Sequence, residues 1–513
     1  MSLSRGHRVI RDTSYLVLGQ MLGGVVGLVA AAWFARNLPS QELSMWPVCV
    51  ALVALVAPFT NLGMPDALVR SVPKLLTKGR RAEAARMMKT GLLGMFLCTA
   101  VMCVVVFLFA EQANRLLLKG ELPEGLMGLI VIAVFVRVLE SHLNWFLNAC
   151  QEYKTMAGAR MIAQVLRNVG ALVLYVIGGI QASIWGLTLG SAAGCIISAF
   201  GVVPHLRHGT GFAPPWDVLK EAGPFYLSSV YRGALSRVDY ILVGALGGAG
   251  DLALYYVAYR VIEYLHEFDT YIMETLTPKL AEKSTEGRRA SEQTFTRCTR
   301  YYFLVMLPLH LTLAALGPAV IRLYAGGEYA SAGVIFSVLC VYLLLDGLYA
   351  LYRRHILVTG NRWHMLLLDA TEKTLSLGLI AVLTVHYAGL GAAVGRLTTV
   401  ALAIPLGVHL LRRTLRTVHS TSGLLLGAAG ALLGVGLTAG LQLANAGPLV
   451  AIAGLPIAVC LYLVFLRRRL RAADVRLVTQ LVPTRLFGAE RTQRIHSYMQ
   501  SFYLAKAERA AGM

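Results

Sequence analysis

LALYYVAYRVIEYLHEFDTYIMETL, residues 252–276, is apolar enough and long enough to cross a bilayer. At helical spacing, however, it stacks Tyr256, Arg260, Glu263, Glu267, Tyr271 and Glu274 on one face. A hydrocarbon core about 30 Å thick takes roughly 20 residues of helix. An ionisable side chain at its centre costs at least about 2.5 kcal/mol. That face therefore cannot point at lipid and needs protein or a wet cavity opposite it. The stretch predicts an all-α, polytopic membrane protein whose helices enclose a polar space.

Similar stripes recur along the chain. Just upstream, Ser229, Arg232, Ser236 and Asp239 share a face, with Arg237 and Tyr240 beside it. Arg232, Arg237 and Arg260 thus place three guanidiniums on two consecutive spans, and a guanidinium fork matches phosphate oxygens in pairs. Other spans carry Arg137, Glu140 and Asn144; Gln164, Arg167 and Asn168; Tyr342, Asp346, Tyr349 and Arg353; Asp369, Glu372 and Lys373; and Arg396. Arg137 with Glu140, and Asp369 with Lys373, have the spacing of intrahelical ion pairs that hold helices together. His142, the lone histidine of its span, is expected to satisfy an interhelical hydrogen bond.

Apolar stretches occupy about fourteen segments: 15–35, 43–69, 91–110, 126–149, 162–180, 183–203, 223–246, 252–276, 301–321, 331–358, 364–385, 389–410, 421–442 and 448–466. With 57% hydrophobic and 14% charged residues, the 513 residues hold too little polar surface for several soluble domains. The formal charge of +20 is not a nucleic-acid stripe, because the basic residues alternate with the spans. Outside the spans, only Arg36, Arg115, Lys119 and Arg322 lie on the far side, so both termini are expected in the cytoplasm. The first span, preceded by Arg5, Arg8 and Arg11, is expected to remain as an anchor. Eight cysteines without CxxC spacing lie mostly in spans, and neither a metal site nor a disulfide framework is expected.

Shifting the chain by 211 residues lays the first span on the seventh, with Tyr15-Leu16 on Tyr226-Leu227. A six-span shift preserves orientation and predicts two parallel six-helix lobes related by an axis along the membrane normal. The expected organisation is an N-lobe at 1–203, a cytoplasmic linker at 204–222 and a C-lobe at 223–413. Two extra spans follow at 414–466, and a basic tail at 467–513 is expected to lie on anionic membrane lipids. Gly19, Gly23 and Gly27 in the first span predict close helix packing.

Four short stretches carry a family resemblance: Asn61-Leu62-Gly63-Met64-Pro65-Asp66-Ala67-Leu68-Val69-Arg70, Leu323-Tyr324-Ala325-Gly326-Gly327-Glu328-Tyr329, Leu357-Val358-Thr359-Gly360-Asn361-Arg362 and Tyr387-Ala388-Gly389-Leu390-Gly391-Ala392-Ala393. Together with the span pattern they resemble the polysaccharide-transport, Wzx-like oligosaccharide flippases of the MOP superfamily. The resemblance implies a V-shaped pair of lobes around a cationic cavity lined largely by spans 1, 2, 7 and 8. It implies transport, not enzymatic catalysis: alternating access that moves polyprenyl-pyrophosphate-linked oligosaccharide, a repeat unit of O-antigen, capsule or exopolysaccharide, to the outer leaflet of the bacterial cytoplasmic (inner) membrane.

Carried onto this chain, the resemblance implies that Arg232, Arg237 and Arg260 hold the pyrophosphate. Asp239 and Glu263 would pair with those arginines in the empty cavity, and Tyr240, Tyr256 and Tyr259 would meet the sugar. Asp66, Asp239 or Glu263 would serve coupling to Na+ or H+, with no other cofactor, and Arg137, Glu140 and Lys373 are secondary polar candidates. Polymerase or other glycan-assembly membrane proteins are the expected partners. No P-loop pattern is present, which argues against direct ATP hydrolysis. A MATE-type cation or drug antiporter would share the twelve-span core but favour acidic cavity residues and usually lack the two extra spans. A membrane glycan polymerase or ligase would need a sizeable outward loop, and the longest outward connector, 111–125, has no nucleophile, base and orienter set.

Overall fold

The computed structural model describes residues 23–120, 125–216, 237–358, 362–413, 420–443 and 447–469, with scattered positions between 219 and 236 and at 415. Among the described residues every regular element is a helix. After α1 (23–37) come α2 (Ser40–Leu43), α3 (Met45–Thr60), α4 (Met64–Thr77), α5 (Arg81–Leu108), α6 (Ala110–Leu118), α7 (Leu126–Ala149) and α8 (Tyr153–Leu206). The second half holds α9 (Val238–Gly247), α10 (Ala249–Thr285), α11 (Arg288–Ala315), α12 (Gly317–Ala325), α13 (Ala332–Val358) and α14 (Arg362–Arg412). Two further helices close the chain, α15 (Thr421–Leu443) and α16 (Pro448–Arg469).

Eight of these helices are long and apolar enough to cross a membrane, or nine when α11 and α12, bent by 68°, count as one, all among the described residues. The expected count of about fourteen is not reached by this measure, for identifiable reasons. Spans five and six form the single element α8, interrupted where Gly178 and Gly179 leave helical geometry. Spans 11 and 12 form α14, broken at Ala388 (φ 47°, ψ −128°). The first and seventh spans lie partly outside the described residues, and the eighth, α10, carries the charged stripe.

The Asn61–Arg70 stretch behind the family resemblance opens on a turn. Asn61 accepts the backbone N–H of Gly63 through Oδ1 at 2.9 Å, while Leu62 and Gly63 take positive φ and start α4 in a new direction. A methyl at Gly63 would collide with the backbone of Ala222 and Tyr226, so only glycine fits.

In the N-lobe α7 runs along α8 and packs on α3, α4 and α5; in the C-lobe α13 packs on α10, α11 and α14. The linker is tied to α5, with Lys89 Nζ donating to the Gly209 carbonyl at 2.7 Å and Thr90 Oγ1 to the Ala213 carbonyl at 2.9 Å. The lobes touch at the basic end, where Tyr226 Oη donates to the Phe59 carbonyl at 3.3 Å, and again at the weakly basic end of the bundle. There α2 touches α10, α6 touches α9, and the Arg36 guanidinium donates to the Leu323 and Tyr324 carbonyls at the close of α12. Beside this contact Trp33, Phe34, Trp46 and Tyr175 pack edge to face or tilted, and Tyr175 donates to Glu42 at 3.0 Å.

α15 lies along α11 and carries α16. Methyls at Gly423, Gly427 and Gly434 would run into Arg300, Phe303 and Thr312 respectively, so the helix axes approach closely. Tyr462 of α16 donates to the Leu304 carbonyl at 2.9 Å.

Candidate functional site

Glu140 anchors the N-lobe charges. Buried on α7, it accepts Arg167 Nη1 at 2.6 Å from α8 and Arg137 Nη1 at 3.0 Å from its own helix. One buried carboxylate thus holds two guanidiniums, and the trio keeps a net positive charge. Two glycines of the sixth span make room for it: methyls at Gly190 and Gly194 would strike Arg167 and the Glu140 carboxyl group. The expected Arg137–Glu140 pair forms, and Arg167 joins it from the fifth span.

Glu263 on α10 has the same double role in the C-lobe. Arg237 Nη2 lies 2.7 Å from Oε1 and Arg260 Nη1 lies 2.7 Å from Oε2. Arg260 is also stacked over Tyr264 (5.1 Å), and Arg237 over Tyr259 (5.1 Å) and Tyr240 (5.8 Å). Gly27 of the first span completes the setting, since a methyl there would lie 2.5 Å from Tyr264 Oη and 3.4 Å from Arg260 Nη2. Close packing is thus the role of Gly23 and Gly27, while Gly19 lies outside the described residues.

Asp239 departs from expectation. It forms no ion pair with Arg237 or Arg260, which both go to Glu263. Arg396 of α14 grips it instead, with Nη2 2.9 Å from Oδ1 and Nε 3.1 Å from Oδ2, and Tyr255 donates to Oδ2 at 2.7 Å. Arg396 lies over Tyr259 and Tyr342, so this fully buried carboxylate is closed off from the cavity by a cation and a phenol. The tyrosines expected to meet sugar are corrected too. Tyr240, Tyr256 and Tyr259 are buried, packed on Tyr255 and on one another as the core between α9 and α10. Asp369 pairs with Arg353 at 2.6 Å and Lys373 with Glu372 at 2.8 Å, in place of the expected Asp369–Lys373 pair. His142 meets the Thr60 and Thr99 hydroxyls at 3.3 and 3.1 Å, the interhelical role expected of it. Arg232 and the Asp66 side chain lie outside the described residues.

A cavity of about 430 Å³ opens among these groups. Its walls come from α3 (Trp46, Cys49, Val50, Val53), α7 (Arg137, Glu140, Ser141, Asn144), α8 (Arg160, Gln164, Arg167, Asn168, Ser191) and α10 (Arg260, Glu267). It is therefore chiefly an N-lobe cavity: spans 2 and 8 line it as expected, spans 4, 5 and 6 supply most of the remaining wall, and spans 1 and 7 supply none of the lining residues among those described. Four guanidiniums face two carboxylates around it. Arg160 was missed as a wall residue because it stands near the start of its helix, where a basic side chain reads as a topology signal. Amides at Asn144, Gln164 and Asn168 add neutral donors and acceptors, a set suited to an anion joined to a polyhydroxylated group.

Comparison with known proteins agrees with this architecture. The sequence profile described as "Polysaccharide biosynthesis protein" matches residues 9–284. The probable low-salt glycan biosynthesis flippase Agl15 of Haloferax volcanii is 18% identical over 413 residues, which span 78% of this chain and 83% of that protein. The lipid II flippase MurJ in its inward closed conformation superposes with a TM-score of 0.71 at 14% identity, covering 88% of this chain and 97% of MurJ. An inward-facing multidrug resistance MATE family transporter gives 0.61 at 16% identity, over 79% and 98%. A Pyrococcus furiosus MOP superfamily transporter, described as having a binding pocket of reverse polarity, gives 0.57 at 15% identity, over 78% and 94%. The chain is a multi-pass membrane protein with the fold of the MOP superfamily transporters, and it belongs to the polysaccharide biosynthesis protein family.

Proposed function

We propose that this protein is a flippase that moves polyprenyl-pyrophosphate-linked oligosaccharide from the cytoplasmic to the outer leaflet of the bacterial cytoplasmic membrane by alternating access, with both termini in the cytoplasm. The observation that carries this reading is the excess of guanidinium over carboxylate around a membrane-embedded cavity. A diphosphate supplies negative charge to offset the excess of guanidinium, and a net-positive cavity in a low-dielectric setting is costly without an anionic guest. The names of Agl15 and MurJ, both flippases, support the same reading.

In this mechanism Arg167, Arg137 and Arg160 receive the diphosphate from the N-lobe side and Arg260 from the C-lobe side. Arg237 acts through Glu263, which it shares with Arg260: when a diphosphate draws Arg260 away, Arg237 keeps Glu263 paired. Asn144, Gln164 and Asn168 offer hydrogen bonds to the first sugars. The lining runs from Trp46, near the end closed by Arg36, to Arg160 near the basic end, which suits loading from the cytoplasm.

The fold alone also admits a MATE-type exporter of cations, but four arginines around the cavity repel such cargo. Right-side-out vesicles loaded with labelled lipid-linked oligosaccharide test both readings, the fraction reached by an impermeant glycosidase being measured with and without the protein. Protein-dependent exposure is expected, and Arg260→Gln should abolish it while membrane insertion stays intact. Normal exposure by that variant would remove Arg260 from the site, and protein-dependent efflux of organic cations in place of glycan exposure would establish the exporter.

A further inference from the structure

We propose that Asp269 and His310 form a proton-binding centre inside the C-lobe, filled from the exposed His266 by way of Asp346. His310 of α11 is fully buried, and its Nδ1 lies 2.8 Å from the Met306 carbonyl oxygen. A carbonyl oxygen only accepts, so Nδ1 carries hydrogen. Nε2 then lies 3.2 Å from Asp269 Oδ2 of α10, whose side chain is 4% exposed. A neutral imidazole would set its lone pair against an ionised carboxylate in a buried site, and both the repulsion and the buried charge are costly. One proton removes both costs, giving either an imidazolium facing a carboxylate or a neutral imidazole facing a carboxylic acid. Taking it up changes the pair from one negative charge to none, and releasing it restores the negative charge.

The neighbours supply a route. His266 stands one turn before Asp269 on α10 and its side chain is 52% exposed; its Nδ1 is 3.7 Å from Asp346 Oδ2, and the Asp346 side chain is 17% exposed. Tyr302 of α11 lies within electrostatic range of both Asp346 and Asp269. Exposure thus falls stepwise from His266 through Asp346 to Asp269 and His310. Among the other charged groups around the route, Glu372 and Lys373 of α14 pair with each other and Arg353 of α13 pairs with Asp369, so their charges are matched locally. Tyr342 and Cys340 of α13 face Asp346 and Asp269 as neutral groups. α15, on the far side of α11, has no ionisable residue from Thr421 to Leu443. Six residues, about 9 Å of helix, separate Asp269 from Glu263 on α10. Proton loading therefore alters the field at the Arg260–Glu263 pair, which would couple a proton gradient to cargo movement.

The coupling rests on the flippase reading, but the bound proton does not. Full-length protein carrying 15N-histidine in nanodiscs, examined at about pH 7.5 where an exposed histidine is neutral, should show one of two signatures. Either a doubly protonated histidine resonance disappears in His310→Gln and turns neutral in Asp269→Asn, or an infrared band of a buried carboxylic acid disappears in Asp269→Asn. Asn can still donate to Nε2, so that variant remains informative should His310→Gln fail to fold. A neutral His310 beside an ionised Asp269 would overturn the centre whatever the cargo. In glycan-loaded vesicles an imposed pH gradient should change the exposure rate by about tenfold or more, and Asp269→Asn should lose this response. A wild-type protein that flips glycan without any response to the gradient would overturn the coupling, whereas absence of flipping would count against the flippase reading alone.

Discussion

Asp239 and Arg396 are 157 positions apart, and their bidentate contact joins α9 to α14. Removing one partner of such a buried pair costs about 3–5 kcal/mol, because the other charge is left stranded. Asp239→Ala should therefore lower the thermal midpoint of the purified protein sharply, while Asp239→Leu combined with Arg396→Met should recover much of the loss; equal losses in both would show the pair to be unimportant. Gly27→Val makes a second prediction. The added carbons overlap Tyr264 Oη and crowd Arg260, an overpacking worth about 1–3 kcal/mol. Glycan exposure should fall well beyond the change in folded fraction, whereas an unaltered rate would detach the first span from the site. At this scale helical spacing made the Arg260–Glu263 and Arg137–Glu140 pairs legible, since both partners lie on one helix. It could not reveal Arg396 on Asp239 or Arg167 on Glu140, which depend on tertiary approach between spans. Nor did it show that Tyr240, Tyr256 and Tyr259 fill the core, because a tyrosine stripe reads alike whether it faces cargo or a neighbouring helix.

α15 shows what small residues do for an element. Gly427 lies against the Phe303 backbone, with Gly423 before it and Gly434 beyond, and no side chain separates the two helices. Gly427→Leu should lift α15 from α11 and cost at least about 1–3 kcal/mol. A cysteine pair placed across Gly423 and Arg300 should then crosslink slowly in the leucine variant and rapidly in the glycine parent; equal rates would mean the hairpin docks by other contacts. Apolar stretches located α7, α13, α15 and α16 within a few residues, whereas α5 and α11 begin, and α10 ends, well outside theirs in charged turns, and the Asn61–Gly63 corner breaks the span expected at 43–69. The continuous course of α8 and α14 was not legible, because Gly178-Gly179 and Ala388 read as ordinary loops between spans.

Across the whole molecule, Arg36 closes the weakly basic end by linking α1 to the last carbonyls of α12, where the helix dipole is negative. Arg36→Ala removes hydrogen bonds worth about 1 kcal/mol together, which, under the proposed alternating access, corresponds to roughly a fivefold shift of the equilibrium toward a state open at this end. A cysteine at Trp46 should become correspondingly more reactive to an impermeant reagent added from outside, and unchanged labelling would place the closure elsewhere. The bundle and its polar interior were legible from the stripe on residues 252–276, since that stripe has no stable place in lipid. The position of the cavity within the N-lobe was not, because it depends on Glu140, Arg167 and Gly194 meeting across three spans.

The breaks at Gly178-Gly179 and at Ala388 also bear on biogenesis. Each joins two crossings without a charged residue between Leu174 and Ile184 or between Ile380 and Val394. During synthesis no hydrophilic connector has to be carried through the apolar layer at these points, so each pair can leave the insertion machinery as one hairpin, its descending and returning arms partitioning together.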